Sequence, residues 1–328
     1  MSDFTELVDL ASSRLGGVAL VANDEFFAPK ESLLLESEPV WREGEYTDRG
    51  KWMDGWETRR RREPGHDWCL VRLGLAGIVR GVVVDTSHFR GNFPEACSIE
   101  GASLDADPPL EAGAGDARFR ELLPRTPLAG NTRNLFPIAV GRRVTHLVLR
   151  IYPDGGVARL RVHGEVDPDW SRHAPGAEID LGAVENGGRV LDASDMFFGH
   201  RHHLIYPDPP LGMFDGWETK RRRGPGHDWA VVELGAPGRI RRVEVDTRFF
   251  KGNAPGACSL EGAALASWRS GRPEWRELLP RRSLAADARQ EFAGELLAHE
   301  PVSHARFNIY PDGGVARLRL FGLPEPTA

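Results

Sequence analysis

The chain has 328 residues, 41% of them hydrophobic and 27% charged, and a formal net charge of −6. Its length exceeds the comfortable reach of one hydrophobic core and suits two domains; the composition excludes a disordered chain, and the acidic balance argues against general nucleic-acid binding. No apolar run approaches the roughly 18 residues of a membrane span, and the N-terminus MSDFTELVDL lacks a basic region followed by an apolar stretch, so a cytoplasmic protein with no membrane partner is expected.

Residues 3–15, DFTELVDLASSRL, place Leu7, Leu10 and Leu15 near one helical face, with Asp3 or Thr5 as cap and Gly16-Gly17 as stop. This predicts a short helix. From Val18 to Lys51 the pattern is irregular, with Phe26-Phe27, a Pro29 break and an apolar stretch at Leu33 to Leu35, and it reads as a long structured arm with one short strand.

The segment DGWETRRRREPGHDW, Asp54 to Trp68, returns as DGWETKRRRGPGHDW, Asp215 to Trp229, identical at thirteen of fifteen positions and offset by 161 residues. A period of nearly half the chain marks a duplicated domain, not a solenoid. The expected domains are residues 1–168 and 169–328.

Two short apolar runs follow, Trp68 to Leu73 and Ile78 to Val84, whose β-branched residues suit strands. The loop TSHFRGNFPEA leads to a strand at Cys97 to Gly101, and the Pro, Gly and Ala of Asp105 to Asp116 predict a surface excursion. In VTHLVLRIYPDGGVARLRVHG, residues 144–164, two alternating runs flank Pro153-Asp154-Gly155-Gly156 and predict a hairpin. Ala158, Leu160 and Val162 fall on its core face, with Arg159, Arg161 and His163 opposite. The second half repeats this order, from SDMFFGH through the strand Ile240 to Val245 to a final IYPDGGVARLR, where Ala316, Leu318 and Leu320 face the core. Many short strands joined by long loops predict an all-β protein of two tandem jelly-roll sandwiches.

Cys97 and Cys258 are repeat equivalents in strand-like ACSxEGA segments and read as buried structural thiols; with Cys69 they are too few and scattered for a disulfide framework or a CxxC site. His200, His202 and His203 invite a metal reading, but their counterparts Pro29, Glu31 and Ser32 hold no cluster and no metal-binding motif accompanies them. No metal or cofactor is expected.

Loops on a rigid sandwich are the usual home of binding and catalytic groups. Asp54, Glu57, His66 and Asp67, with Asp215, Glu218, His227 and Asp228 in the second copy, concentrate acids and bases among turn formers; a structural corner with Trp56 and Trp68 plugging the core is the competing reading. Thr86 to Asn92 and Thr247 to Asn253 offer a cation and an amide in the same order, Arg90 with Asn92 and Lys251 with Asn253, suited to a carboxylate. Arg159 and Arg317 lie opposite the core face, where salt bridging explains them as well as anion binding does.

The DLASSRLGG and DEFFAPKESLL segments, both DGWETxRRRxPGHDW copies, both GNxPxACSxEG segments and both IYPDGGVARLR segments together resemble the allantoicase family over nearly the whole chain. The resemblance implies two tandem jelly-roll modules, a homo-oligomer, and hydrolysis of allantoate to ureidoglycolate and urea. The second copy departs at Met196, where the first has Glu25, and at His202-His203. The substrate's chemistry then suggests roles that the resemblance itself does not assign. His66 or His227, oriented by Asp67 or Asp228, transfers protons, and Glu57 or Glu218 activates water or holds a ureido N–H. Arg90, or an arginine such as Arg60 from positions 59–62, clamps the carboxylate. A non-catalytic jelly-roll module for a small polar or anionic ligand, and a metal-dependent hydrolase releasing ammonia, are the alternatives.

Overall fold

The computed structural model describes residues 4–113, 115–265, 268 and 273–325, in two compact units, Met1–Asp167 and Pro168–Ala328. Each unit is an antiparallel jelly-roll sandwich.

The first is built on one 19-residue strand, Asp67–Asp85. Its opening half pairs with Arg143–Tyr152 and Val18–Ala22, and its closing half with Arg159–Val166 and Arg133–Pro137. One strand thereby serves both layers. Ala96–Ala102 extends the first layer beyond Arg143–Tyr152, and Arg120–Pro127 follows it. Val71, Leu147 and Leu149 from one layer meet Val82, Val84 and Leu160 from the other in a single core, each side chain contributing about 1.5–3 kcal/mol by burial. The two apolar runs of the sequence are thus one strand. Gly74 and Gly77 fall between them because a Cβ there would meet the backbone oxygens of Leu15 and Glu165 at 2.4 and 2.3 Å.

Asp228–Asp246 plays the same part in the second unit, pairing with Val302–Tyr310, Arg189–Ala193, Arg317–Pro324 and Arg289–Phe292. Ala316, Leu318 and Leu320 are fully buried there. All three cysteines are buried free thiols, and burial pushes Cys97 and Cys258 up to about 12. No helix among the described residues is long and apolar enough to cross a membrane.

Two expectations are corrected. No helix forms over the described part of residues 3–15. Val8–Asp9 pairs with His163–Gly164, and the Asp9 carboxylate accepts from the Ala11 and Val162 amides, so the segment is spent on strand contacts between two single 3₁₀ turns; Asp3 lies outside the described residues. The stretch from Asp105 to Asp116, of which Ala114 is outside the described residues, includes a 3₁₀ turn at Leu110–Gly113. Most of the stretch is exposed, as a surface excursion should be, while Ala112 anchors it in a satellite cluster with Leu70, Phe119 and Val148.

The second correction matters most for function. Arg143–Tyr152 and Arg159–Val166 do not pair with each other as a hairpin. They flank opposite halves of the long strand, and the PDGG segment carries the chain from one layer to the other. Gly155 has φ +133°, and a Cβ there would sit 2.7 Å from the Asn92 carbonyl oxygen, so the crossing needs glycine. Just past it, Gly156–Val157 pairs with Trp56–Glu57.

Candidate functional site

The crossing assembles three remote loops. Thr58 and Gly155 exchange hydrogen bonds, the Arg61 amide donates to Asp154 at 2.8 Å, and the Gly156 amide donates to the Asn92 carbonyl at 2.7 Å. Trp56 is fully buried beside Glu57, with its indole N–H on the Asp24 carbonyl at 2.8 Å. This anchoring points the next side chain, Glu57, the other way, as strand alternation requires.

Glu57 lies in a cavity of about 590 Å³ in the first unit. Phe27, Trp41 and Met53 supply apolar wall, while Lys51, Glu43, His88, Arg90 and Asn92 supply polar groups. The Asn92 side-chain amide donates to the Glu57 carboxylate at 2.7 Å. Burial pushes the Glu57 carboxyl above its ordinary range, and the Asn92 hydrogen bond opposes part of that shift. A carboxyl so placed suits proton transfer.

The loop bearing Arg90 and Asn92 is pinned at its base, where Ser87 N–H caps Asp85 and the Thr86 hydroxyl donates to the Ala129 carbonyl. His88 has φ +71°, an uncommon conformation for a non-glycine residue, and Asn131 accepts its amide hydrogen at 2.9 Å. Its ring donates from Nε2 to the Pro39 carbonyl at 3.1 Å.

An arm, residues 36–53, forms the outer wall. Arg159 donates to the Ser37, Asp54 and Ala158 carbonyls and pairs with the Asp54 carboxylate at 2.9 Å. Asp54 also accepts the Val40 amide at 2.9 Å. Burial pushes the Asp54 carboxyl up, but Arg159 and Val40 together hold it below its ordinary range. Lys51 sits 3.9 Å over the Trp41 ring, a cation–π contact.

The structure divides the residues singled out by sequence. Glu57, Arg90 and Asn92 come together in the cavity. Asp54 and Arg159 are instead the clasp of the arm, their polar atoms consumed by one another and by backbone. Arg60 is exposed and does not line the cavity. His66 also lies outside its lining, beside Tyr152 with ring centroids 5.2 Å apart; burial, then the Arg150 and Arg61 charges, hold its pKa down. Asp67 does not orient it. Its carboxylate accepts from Arg61 at 2.6 Å and Asn23 at 2.8 Å. Six lining residues escaped the sequence reading: Phe27, Trp41, Glu43, Lys51, Met53 and His88. The signal for His88 was its replacement by Phe249 at the same place in the second copy; the arm is ten residues shorter there, which leaves less of it to compare.

In the second unit Glu218 keeps its amide, accepting from Asn253 at 2.6 Å. Asp215 and Arg317 repeat the clasp at 3.0 Å, both buried, so they too are spoken for. Lys251 is exposed and faces Asp287 at 3.8 Å. The His227 ring donates to the Asn308 side-chain oxygen at 3.2 Å, while Asp228 is paired with Arg222 and Ser194. The surroundings of the Glu–Asn pair differ. Asp54 lies 25 positions after Pro29, but Asp215 only 15 after His200, so the second copy lacks ten residues of the arm. Phe249 stands for His88, and Phe197, Phe198, Leu211 and Phe214 are exposed.

Asn92→Ala provides a test of the electrostatics. Asn92 donates to the ionised carboxylate, so its loss favours the protonated form and raises the Glu57 pKa further. If the protonated carboxyl is the working form, activity falls as pH rises through that pKa, and the alkaline limb of kcat against pH should move to higher pH in Asn92→Ala. An unmoved or downshifted limb counts against Glu57 as the titrating group.

The allantoicase-repeat family model matches residues 8–167 and 179–325. A probable allantoicase 2 of Burkholderia pseudomallei (strain K96243) is 50% identical over 320 residues, covering 96% of this chain and 94% of that protein. A probable allantoicase of Pseudomonas aeruginosa (strain UCBPP-PA14) is 47% identical over 327 residues, covering 98% and 97%. The crystal structure of allantoicase from Saccharomyces cerevisiae superposes with a TM-score of 0.82 at 35% identity, covering 96% of this chain and 93% of the yeast one.

Proposed function

The chain belongs to the allantoicase family, enzymes that convert allantoate and water to ureidoglycolate and urea, and we propose that it performs this reaction in the cavity of its first repeat. The observation that carries the assignment is the juxtaposition of Glu57, Asn92 and Arg90 in one cavity of about 590 Å³, a size suited to a small ligand. Allantoate bears a carboxylate and two ureido groups on one carbon. Arg90 binds the carboxylate, since a guanidinium matches its two oxygens. The departing ureido nitrogen must be protonated, because its anion is a poor leaving group, and the Glu57 carboxyl is the acid. Asn92 holds Glu57 in place.

The second repeat keeps the Glu218–Asn253 pair with a shortened arm and without His88, and its exposed Phe197, Phe198, Leu211 and Phe214 favour association. A homo-oligomer working in the cytoplasm completes the proposal; buried free cysteines are in keeping with a reducing compartment.

Arg90→Ala should raise KM for allantoate by about 10- to 100-fold, the loss of a charge-assisted hydrogen bond worth roughly 1.5–3 kcal/mol, while Lys251→Ala should leave KM unchanged. Urea, and not ammonia, should accumulate in step with ureidoglycolate. An unchanged KM in Arg90→Ala, with Lys251→Ala impaired, would move the site to the second repeat.

A further inference from the structure

The proposed site contains an acid for the leaving group and a cation for the carboxylate, but the reaction also needs a base. His66, the histidine of the repeated motif, lies outside the cavity lining, with its ring against Tyr152. His88 lines the cavity. Its backbone is held at φ +71° by the Asn131 side chain, a conformation that persists in bulky residues only when surrounding contacts enforce it. The Pro39 carbonyl can only accept, so the ring nitrogen facing it, Nε2, carries the hydrogen. In the neutral imidazole Nδ1 is then the basic nitrogen, and among the described residues no hydrogen bond engages it.

We propose that His88 is the catalytic base of this cavity and that its replacement by Phe249 confines turnover to the first repeat. The inference rests on the assignment of the Glu57 cavity as the active site. Nδ1 removes the N–H proton of the retained ureido group. That nitrogen's electrons form a C=N bond to the central carbon, and the bond to the departing ureido nitrogen breaks as Glu57 protonates it, releasing urea. Water then adds to the C=N carbon. The C=N electrons return to nitrogen, which recovers its proton from the His88 imidazolium, and the proton lost by water goes to the Glu57 carboxylate. Both side chains finish as they began.

Three variants test this side by side. His88→Phe installs the residue that the second repeat holds at nearly the same backbone angle, φ +73°, so the melting temperature should stay near that of the parent. Its kcat should fall at least about 100-fold, with KM changed less than about threefold. His88→Ala should lose a similar factor and regain activity, saturably, on addition of imidazole. Glu57→Gln reports on the cavity itself. If His88→Phe keeps its kcat while Glu57→Gln is inactive, His88 is not the base and the cavity assignment stands. If both variants stay active, the cavity assignment fails and the inference goes with it. A kcat loss in His88→Ala that imidazole does not restore also overturns the role as base.

Discussion

Glu57→Gln should lower kcat by about 10²- to 10⁴-fold, the usual worth of a positioned acid or base, whereas Glu218→Gln should remain within about threefold of the parent. Glutamine preserves the shape of the side chain and an oxygen to accept the Asn92 hydrogen bond, but it has no proton to give a departing ureido nitrogen. The contrast between the variants is what makes the experiment informative, because each glutamate accepts from an asparagine at nearly the same distance, 2.7 and 2.6 Å. What differs is the setting. Glu57 is buried beneath an arm that supplies Trp41 and Lys51, and shares its cavity with a histidine; Glu218 has Phe249 at the equivalent place and a shorter connection in place of the arm. Steady-state kinetics following urea release decide the matter. Equal losses in both variants would mean that both repeats turn over substrate.

Arg159→Ala should destabilise the first repeat by about 3–5 kcal/mol, the cost of removing one partner from a buried ion pair. Its side chain is 1% exposed and that of Asp54 11%, so solvent does little to screen or replace the lost contacts. Removal leaves the Asp54 carboxylate with the Val40 amide and the Ser37 carbonyl with only the longer Arg161 contact at 3.4 Å. Arg159→Lys should fall between the two, since an ammonium cannot span the Ser37, Asp54 and Ala158 oxygens as the guanidinium does. The denaturant midpoint measures the effect, and hydrogen exchange at Val40 should quicken with it as the arm loosens. A midpoint for Arg159→Ala equal to the parent's would show that the clasp adds nothing to stability.

The duplication, the all-β class and the core faces of the strands were legible because they depend on identity at a fixed offset and on alternation, both read directly from the order of residues. Glu57, Arg90 and Asn92 were legible as candidates for a similar reason, since polar residues on repeated loops stand out. Their neighbours were harder to read. Glu57 and His66 are close in sequence, yet nine residues of loop separate the short strand Trp56–Glu57 from the long strand beginning at Asp67, and that span delivers them to different surroundings. Arg159 alternates with core residues just as an exposed arginine would; only the arm folded over its face buries it. The PDGG segment carries the composition of a hairpin turn, and a change of layer is a tertiary event that composition does not encode. His88 was passed over because its fitness as a base comes from a carbonyl 49 residues away.

The crossing at Gly155 and Gly156 also bears on when the site comes into being. The Glu57–Asn92 bond spans 35 residues and the Thr58–Gly155 bonds span 97, so the cavity depends on closing long loops, a step that slows folding. During synthesis the acid, its amide and the arm all emerge before the segment that locks them together. A chain released before Val157 would therefore carry every residue assigned to catalysis and still have no catalyst.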